Sequence, residues 1–220
     1  MTVQRFELPP SNGASMQNAD PEISVSAAIA QRRSVRSYVP GPLDKEAIHA
    51  LLSAAIRAPT ALHEEPWAFV IAQGKHYLKQ LSAMVRAPST DPREHLQAEE
   101  SRQALDKYQN PEFNIFYDAE TLIIICTKIP GAFVAADCWL AAENLMLTAC
   151  AMRLGTCVIG SAVSGLNTRH VKAELGIPEE MLLVVPIIVG VQNAAIPAAV
   201  HKNAEPLILA WKGKPGSATA

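Results

Sequence analysis

Three short apolar runs along this chain predict buried strands. They are WAFVIA at residues 67–72, TLIIIC at 121–126 and LVVPIIVGV at 183–191. Their β-branched and aromatic side chains are typical of buried strands. The third run is expected to be interrupted at Pro186, because proline cannot donate a ladder hydrogen bond.

Segments with helical periodicity lie before, between and after these strands. Asp44 is suited to N-cap a helix that places Ile48, Leu51 and Ala55 on one face and stops before Pro59. Other helices are predicted over residues 23–33, near 77–85, from about 133 to 154, and over 168–175. A further strand or extended turn is predicted at 157–159. This mixture indicates an α/β or α+β fold.

Charged residues are concentrated in one part of the chain. Residues 86–112 contain ten of them in 27 positions, whereas residues 121–200 contain only nine in 80. We therefore expect a solvated, helical lid at about 86–118 and a core in the later segment. Residues 1–22, rich in Pro, Asn and Ser, are expected to form an N-terminal arm, and residues 23–220 a single domain.

The overall composition narrows the class of protein. Of the 220 residues, 49% are hydrophobic and 18% are charged, with a net charge of -2. An average soluble domain has about 25% charged residues. This balance excludes a disordered chain and argues against a nucleic-acid partner. It also suggests that part of the surface is buried against another subunit.

The cysteines and the N-terminal segment indicate a cytoplasmic protein. Residues 1–22 contain no apolar stretch typical of a signal peptide. The apolar segment 133–152 includes Asp137, Glu143 and Asn144, which predict a helix buried in protein and not a membrane span. Four cysteines without a C-x-x-C pair favour free, buried thiols: Cys126, Cys138, Cys150 and Cys157.

Several catalytic motifs are absent from the sequence. No G-x-G-x-x-G follows a predicted strand, which argues against a Rossmann dinucleotide site. The segment 155–161 has the glycine spacing of a P-loop but lacks its lysine. The six histidines form no H-E-x-x-H or H-x-H pair, so no metal site is predicted. No serine lies in a G-x-S-x-G motif.

Two segments contain residues suited to binding a phosphorylated ligand. The run RRSVR at 32–36 offers three guanidiniums for bidentate phosphate binding and one hydroxyl. The alternative is a basic helix end that complements the helix dipole. The proline-bounded segment 58–67 leads into a strand, a place where ligand-binding groups are presented. The alternative here is a rigid connector.

Two later segments offer a backbone approach and another basic pair. Gly155 and Gly160 permit close approach of the backbone to a flat ligand, although ordinary turn glycines would also fit. His201 and Lys202 precede a proline and a tryptophan and could close over a phosphate. A typical surface pair is the alternative.

Together, in this order and spacing, these segments and the alanine-rich run AAENLMLTACAMRLGT resemble the FMN-dependent nitroreductase family. The resemblance covers about residues 23–211. It implies an α+β fold in which a central, mostly antiparallel sheet is flanked by helices. It also implies an intertwined homodimer, with FMN in a cleft at the subunit interface.

The resemblance further implies roles for individual residues. Arg32, Arg33 and Ser34 would hold the FMN phosphate and ribityl chain, and Lys202, with His201 as a further candidate, would complete the phosphate site. A cation near the pyrimidine edge of the flavin would stabilise the anionic reduced ring. The residues around the ring would be Arg36 at that edge, Thr60, Ala61, Leu62 and His63 along the flavin, and the backbone of Ile159 and Gly160 near N5.

Two departures from the family pattern Pro-Ser-x-x-Asn-x-Gln-Pro-Trp matter. His63 stands at the Asn position, where its protonation would couple the flavin potential to pH. Glu65 stands at the Gln position and is only an acceptor when ionised. The two departures suggest a subfamily with its own substrate.

The implied activity is that of an NAD(P)H oxidoreductase that uses FMN to reduce nitroaromatic, quinone or enone acceptors by hydride transfer through flavin N5. Such chemistry needs little from protein acids or bases, so no catalytic side chain is predicted. Alternatives are a dehalogenase or flavin-fragmenting enzyme of the same family, and an FMN-binding store or sensor without turnover. Pocket walls or simple core aromatics are predicted at Tyr108, Phe113, Phe116 and Tyr117.

Overall fold

Four antiparallel strands form the sheet of the described chain. The computed structural model describes residues 23–61, 65–86, 110, 113–128, 131–193, 207–210 and 212. The strands are β1 (Trp67–Gln73), β2 (Thr121–Thr127), β3 (Leu154–Val158) and β4 (Leu182–Val191). Their order in the sheet is β1-β2-β4-β3, and every pairing is antiparallel. With helices on both faces, this confirms the predicted α+β fold.

Six α-helices surround the sheet within the described residues. They are α1 (Val25–Gln31), α2 (Lys45–Ala55), α3 (Lys75–Arg86), α4 (Ala132–Ala151), α5 (Val163–Leu166) and α6 (Arg169–Glu174). Asp44 caps α2 as predicted, since its carboxylate accepts a 2.7 Å hydrogen bond from the Ala47 N–H. The long helix ends at Ala151, earlier than predicted. Arg153 adopts a left-handed φ of 59°, which ends the helix and starts β3.

β4 passes through Pro186 without a break, so the predicted interruption is wrong. Pro186 faces Ile124 on β2, next to a register shift between Ile125 and Cys126. It also lies just beyond Val158, the last residue of β3 that pairs with β4. The carbonyl oxygen of Pro186 accepts from the Ile159 N–H, so the missing proline N–H also faces β3, just beyond the last paired residue of that strand, where a central strand tolerates it.

The sheet separates two apolar clusters. Alternate residues of β2 point to opposite faces: Leu122, Ile124 and Cys126 join the cluster under α3, α5 and α6, whereas Ile123 and Ile125 join the cluster under α2 and α4. All seven residues of β2 are buried. The sheet is thus covered on both faces, as the continuous apolar run predicted.

α4 is the core helix of the second cluster. By length and composition it is the one helix among the described residues that could cross a membrane. It packs instead against α1, α2 and strands β2, β3 and β4. Its sheet-facing side chains are fully buried, as the prediction of a helix buried in protein requires: Cys138, Ala142, Leu145 and Ala149.

The end of the predicted lid belongs to the core. The Ile115 N–H donates to the Ser82 hydroxyl on α3 at 3.0 Å, and Phe116 is completely buried. The Arg86 guanidinium at the end of α3 donates to the carbonyl oxygen of Phe113. Phe116 is therefore a core aromatic and not a pocket wall. Residues 87–109, with Tyr108, lie outside the described residues.

The segment after α1 runs along the edge of the sheet. The Val35 N–H donates to the Thr156 carbonyl oxygen at 2.9 Å, and the Val39 N–H to that of Val191 at 2.9 Å. A Cβ atom at Gly155 would lie 2.7 Å from the side chain of Val35. Gly155 is thus explained by close packing, because a larger residue would push Val35 away from the sheet.

Gly155→Ala is expected to destabilise the protein by about 1–3 kcal/mol, the usual cost of an overpacked contact. Gly160→Ala is the matched control, because a Cβ there would meet no atom within 4 Å. Its effect should stay within about 0.5 kcal/mol. Urea denaturation of both apoproteins measures the difference, and equal midpoints would contradict the packing argument.

Candidate functional site

The basic segment 32–36 lies between α1 and the edge strand β3. Arg32 is the C-cap residue of α1, and its Nε lies 3.7 Å from Glu143 Oε1 on α4. Ser34 is exposed and forms an isolated parallel bridge with Thr156 on β3. The segment is therefore held on both sides, by α4 and by the sheet.

Arg33 turns back onto the end of its own helix. Its Nη1 donates to the carbonyl oxygens of Ala30 at 2.6 Å and Arg32 at 2.8 Å. A guanidinium in this position satisfies carbonyls that lack a partner within the helix and complements its dipole. These contacts of Arg33 are those expected of a basic residue at a helix end, which was the alternative to phosphate binding.

Arg36 lies against an aromatic pair from the end of the predicted lid. Its guanidinium carbon is 5.7 Å from the centroid of the Tyr117 ring, within cation–π range. The Tyr117 ring in turn meets Phe113 edge to face, with centroids 5.5 Å apart. Tyr117 therefore contributes to the site by orienting a predicted flavin-binding cation.

The buried thiol of Cys157 and the half-buried phenol of Tyr38 lie beneath the basic segment. Burial raises the pKa of Cys157, while the Arg36 charge and a hydrogen bond from Ser34 oppose that rise. The Tyr38 hydroxyl donates to the Val35 carbonyl oxygen at 2.5 Å, and burial raises the pKa of this tyrosine. Both groups stay neutral near pH 7, and they support the segment from inside.

The segment between α2 and β1 meets the site at α4. The Ala61 N–H points at both carboxylate oxygens of Asp137, which are 3.2 and 3.3 Å from its nitrogen. Thr60 and Ala61 are half-buried, and Glu65 adopts a left-handed φ of 42°. The other predicted residues of this loop and of the phosphate site lie outside the described residues: Leu62, His63, His201 and Lys202.

Ile159 and Gly160 differ in what they can offer to a ligand. The Ile159 N–H already donates to the Pro186 carbonyl oxygen at 2.9 Å, and this residue is 4% exposed. Gly160 is exposed and begins a 3-10 turn, Gly160–Ala162. The first N–H groups of a helix have no partner inside it. Gly160 is therefore the member of the pair that presents a backbone N–H.

α4 contacts two of the predicted parts of the site. Asp137 contacts the segment before β1, and Glu143 contacts Arg32. These two carboxylates are six residues apart, or about 9 Å along the helix axis. In the sequence, both carboxylates indicated only that the helix is not a membrane span. Acidic residues inside an otherwise apolar helix were the signal that would have identified them.

The chain is similar to known proteins in sequence. The family model for the nitroreductase family matches residues 29–190. A protein of Methanothermobacter thermautotrophicus, provisionally named as an NADH dehydrogenase/NAD(P)H nitroreductase, is 27% identical over 166 residues, which cover 73% of each of the two chains.

Two solved structures share the fold. A nitroreductase of Bacteroides fragilis with bound FMN superposes with a TM-score of 0.69 at 23% identity, and covers 86% of this chain and 100% of its own. An iodotyrosine deiodinase bound to FMN and 3-iodo-L-tyrosine superposes with a TM-score of 0.68 at 18% identity, with the same coverage. Since the family model spans most of the chain, this protein belongs to the nitroreductase family of oxidoreductases.

Proposed function

We propose that the protein is an FMN-dependent NAD(P)H oxidoreductase that reduces small acceptors such as nitroaromatics, quinones or enones. The observation that carries the proposal is that the basic segment and the segment before β1 are both attached to one rigid helix, α4. The name of the archaeal relative and the FMN bound by the similar nitroreductase structure support it. FMN, when bound, would accept a hydride at N5 and pass it to the acceptor.

The donors of segment 32–36 fit the phosphate of FMN. Arg32 is only part-buried, and its 3.7 Å contact with Glu143 is an ion pair of the weak, solvent-screened kind. A phosphate can therefore compete for this guanidinium and gain a bidentate contact. The exposed Ser34 hydroxyl would add a further donor, and Arg33 and Lys202 are proposed to complete the phosphate site.

The remaining residues fit the flavin ring. Arg36, held against Tyr117, would place its charge at the pyrimidine edge, where reduction adds negative charge. Gly160 offers a backbone N–H without a side chain in the way. Thr60, Ala61 and the residues that follow them, Leu62 and His63, are proposed to line the ring. With Ile159 engaged elsewhere, the donor near N5 is assigned to Gly160.

A homodimer is proposed because apolar side chains are exposed along α1 and α4. Phe133 is 74% exposed and Trp139 is 48% exposed on α4, and Val25 and Ile29 are exposed on α1. α1 packs against α4, which brings the two groups to neighbouring helices. Apolar surface on this scale is typical of a protein interface. A second copy of the chain would cover it.

The thiols fit the proposed location in a reducing cytoplasm. All four cysteines are free, and three of them are buried. Burial raises the pKa of Cys126 to about 12 and that of Cys138 to about 11. These thiols stay protonated at neutral pH and are therefore poor nucleophiles.

The purified protein, reconstituted with FMN, is expected to oxidise NADH or NADPH in the presence of a nitroaromatic acceptor. Steady-state absorbance of the nicotinamide measures this reaction, with free FMN at the same concentration as the control. FMN binding without turnover above that control would favour a flavin store or sensor. No binding at all would overturn the proposed site.

Arg32→Ala is expected to weaken FMN binding by about tenfold or more, since one charge-assisted phosphate contact is lost. Arg169→Ala is the matched control, because it also removes an arginine from an ion pair with a glutamate, but outside the proposed phosphate site. Arg169 is exposed, and its Nε lies 2.7 Å from Glu179 Oε1. Quenching of flavin fluorescence on titration of apoprotein gives both dissociation constants. Equal constants for the two variants would contradict the phosphate assignment.

Wild-type protein is expected to have twice the chain mass of 23.7 kDa in multi-angle light scattering. Trp139→Glu places a charge on the exposed face of α4 and should shift the mass to that of one chain. Ile71→Glu is the control, since Ile71 is an exposed apolar residue on β1. A monomeric wild type, or a dimeric Trp139→Glu variant, would contradict the proposed interface.

A further inference from the structure

Asp137 is a carboxylate buried inside α4. The residue is 4% exposed and lies more than one turn from the start of the helix. At that depth the helix dipole no longer stabilises a negative charge. A buried carboxylate is costly unless donors meet it, and an apolar side chain would serve the core as well or better. The carboxylate of Asp137 is therefore expected to have a role other than packing.

Among the described residues, the backbone N–H of Ala61 is a donor that meets Asp137. The nitrogen lies 3.2 Å from Oδ1 and 3.3 Å from Oδ2, so the two oxygens share the N–H. The contact joins positions 76 residues apart in the sequence. Alanine has no polar side chain, and its backbone is the group through which a polar contact can fix this position.

The polar contact to α2 itself is made by a different residue of α4. Asn144 Nδ2 donates to the Ala54 carbonyl oxygen of α2 at 3.2 Å. Asn144 lies two turns after Asp137 on the same helix. α4 therefore makes one polar contact to α2, through Asn144, and another to the segment that follows α2, between Asp137 and Ala61.

We propose that Asp137 is a positioning residue for the flavin site: by holding the Ala61 N–H, its carboxylate sets the distance of residues 59–61 from the bound flavin. It acts through the backbone and does not touch the reacting atoms. The inference rests on the proposed function, in which Thr60 and Ala61 line the ring.

Three variants separate positioning from stability. Asp137→Ala removes the acceptor, whereas Asp137→Asn removes the charge but keeps a carbonyl oxygen that can accept the Ala61 N–H. Asn144→Ala removes the comparable polar contact to α2. The readouts are the dissociation constant of FMN from apoprotein, the visible circular dichroism of the saturated protein, and the apoprotein Tm.

Asp137→Ala should raise the FMN dissociation constant by about tenfold or more, as expected for one hydrogen bond to a charged acceptor, and should alter the flavin circular dichroism. Asp137→Asn should restore binding to within about threefold of wild type, since a neutral acceptor retains part of the contact. Asn144→Ala should lower the Tm yet leave the dissociation constant and the dichroism unchanged.

Wild-type affinity and dichroism in Asp137→Ala would overturn the inference, as would an equal loss of affinity in Asn144→Ala. If Asp137→Ala does not fold, Asp137→Glu provides the test, because it keeps the charge and moves the acceptor by one methylene group. Wild-type affinity in that variant would also overturn the inference. A wild-type protein that binds no FMN would overturn the proposed function and this inference together.

Discussion

The packing of α4 against the sheet is the constraint on which the rest of the structure depends. One side of this helix fills the second apolar cluster with Ala142, Leu145 and Ala149. Because small and medium side chains bring the helix close to β2, β3 and β4, its remaining sides can contact α1 and α2 at the same time. The two segments of the proposed site follow α1 and α2. The relative positions of these segments therefore depend on how α4 packs against the sheet.

The site is therefore built from contacts to a rigid element and not from the loops alone. Arg32 contacts Glu143, and Ala61 contacts Asp137, on one continuous helix. A helix of twenty residues bends little, and two groups attached to it keep a fixed separation. Such an arrangement places binding groups on a preorganised scaffold and lowers the entropy lost when a cofactor binds.

The sequence was sufficient for the sheet-forming runs, the Asp44 cap and the family, because each depends on local pattern or on ordered motifs. It was insufficient where distant residues decide the outcome. Pro186 lies within a continuous strand because its missing N–H faces the end of β3 and not β2, and Gly155 is required by Val35, 120 positions earlier. The sequence left open whether the Arg33 guanidinium turns back onto its own helix, and its contacts to the carbonyl oxygens of Ala30 and Arg32 show that it does.

The bond between Arg86 and the Phe113 carbonyl oxygen has a consequence for how this fold can diversify. It joins the end of α3 to the residues that lead into β2. The two ends of the intervening segment are therefore held together. When the ends of a segment are already fixed, doubling its length costs only about 0.6 kcal/mol of closure entropy. Segments of other lengths and compositions could therefore be exchanged between these two residues while the sheet and α4 stay as they are.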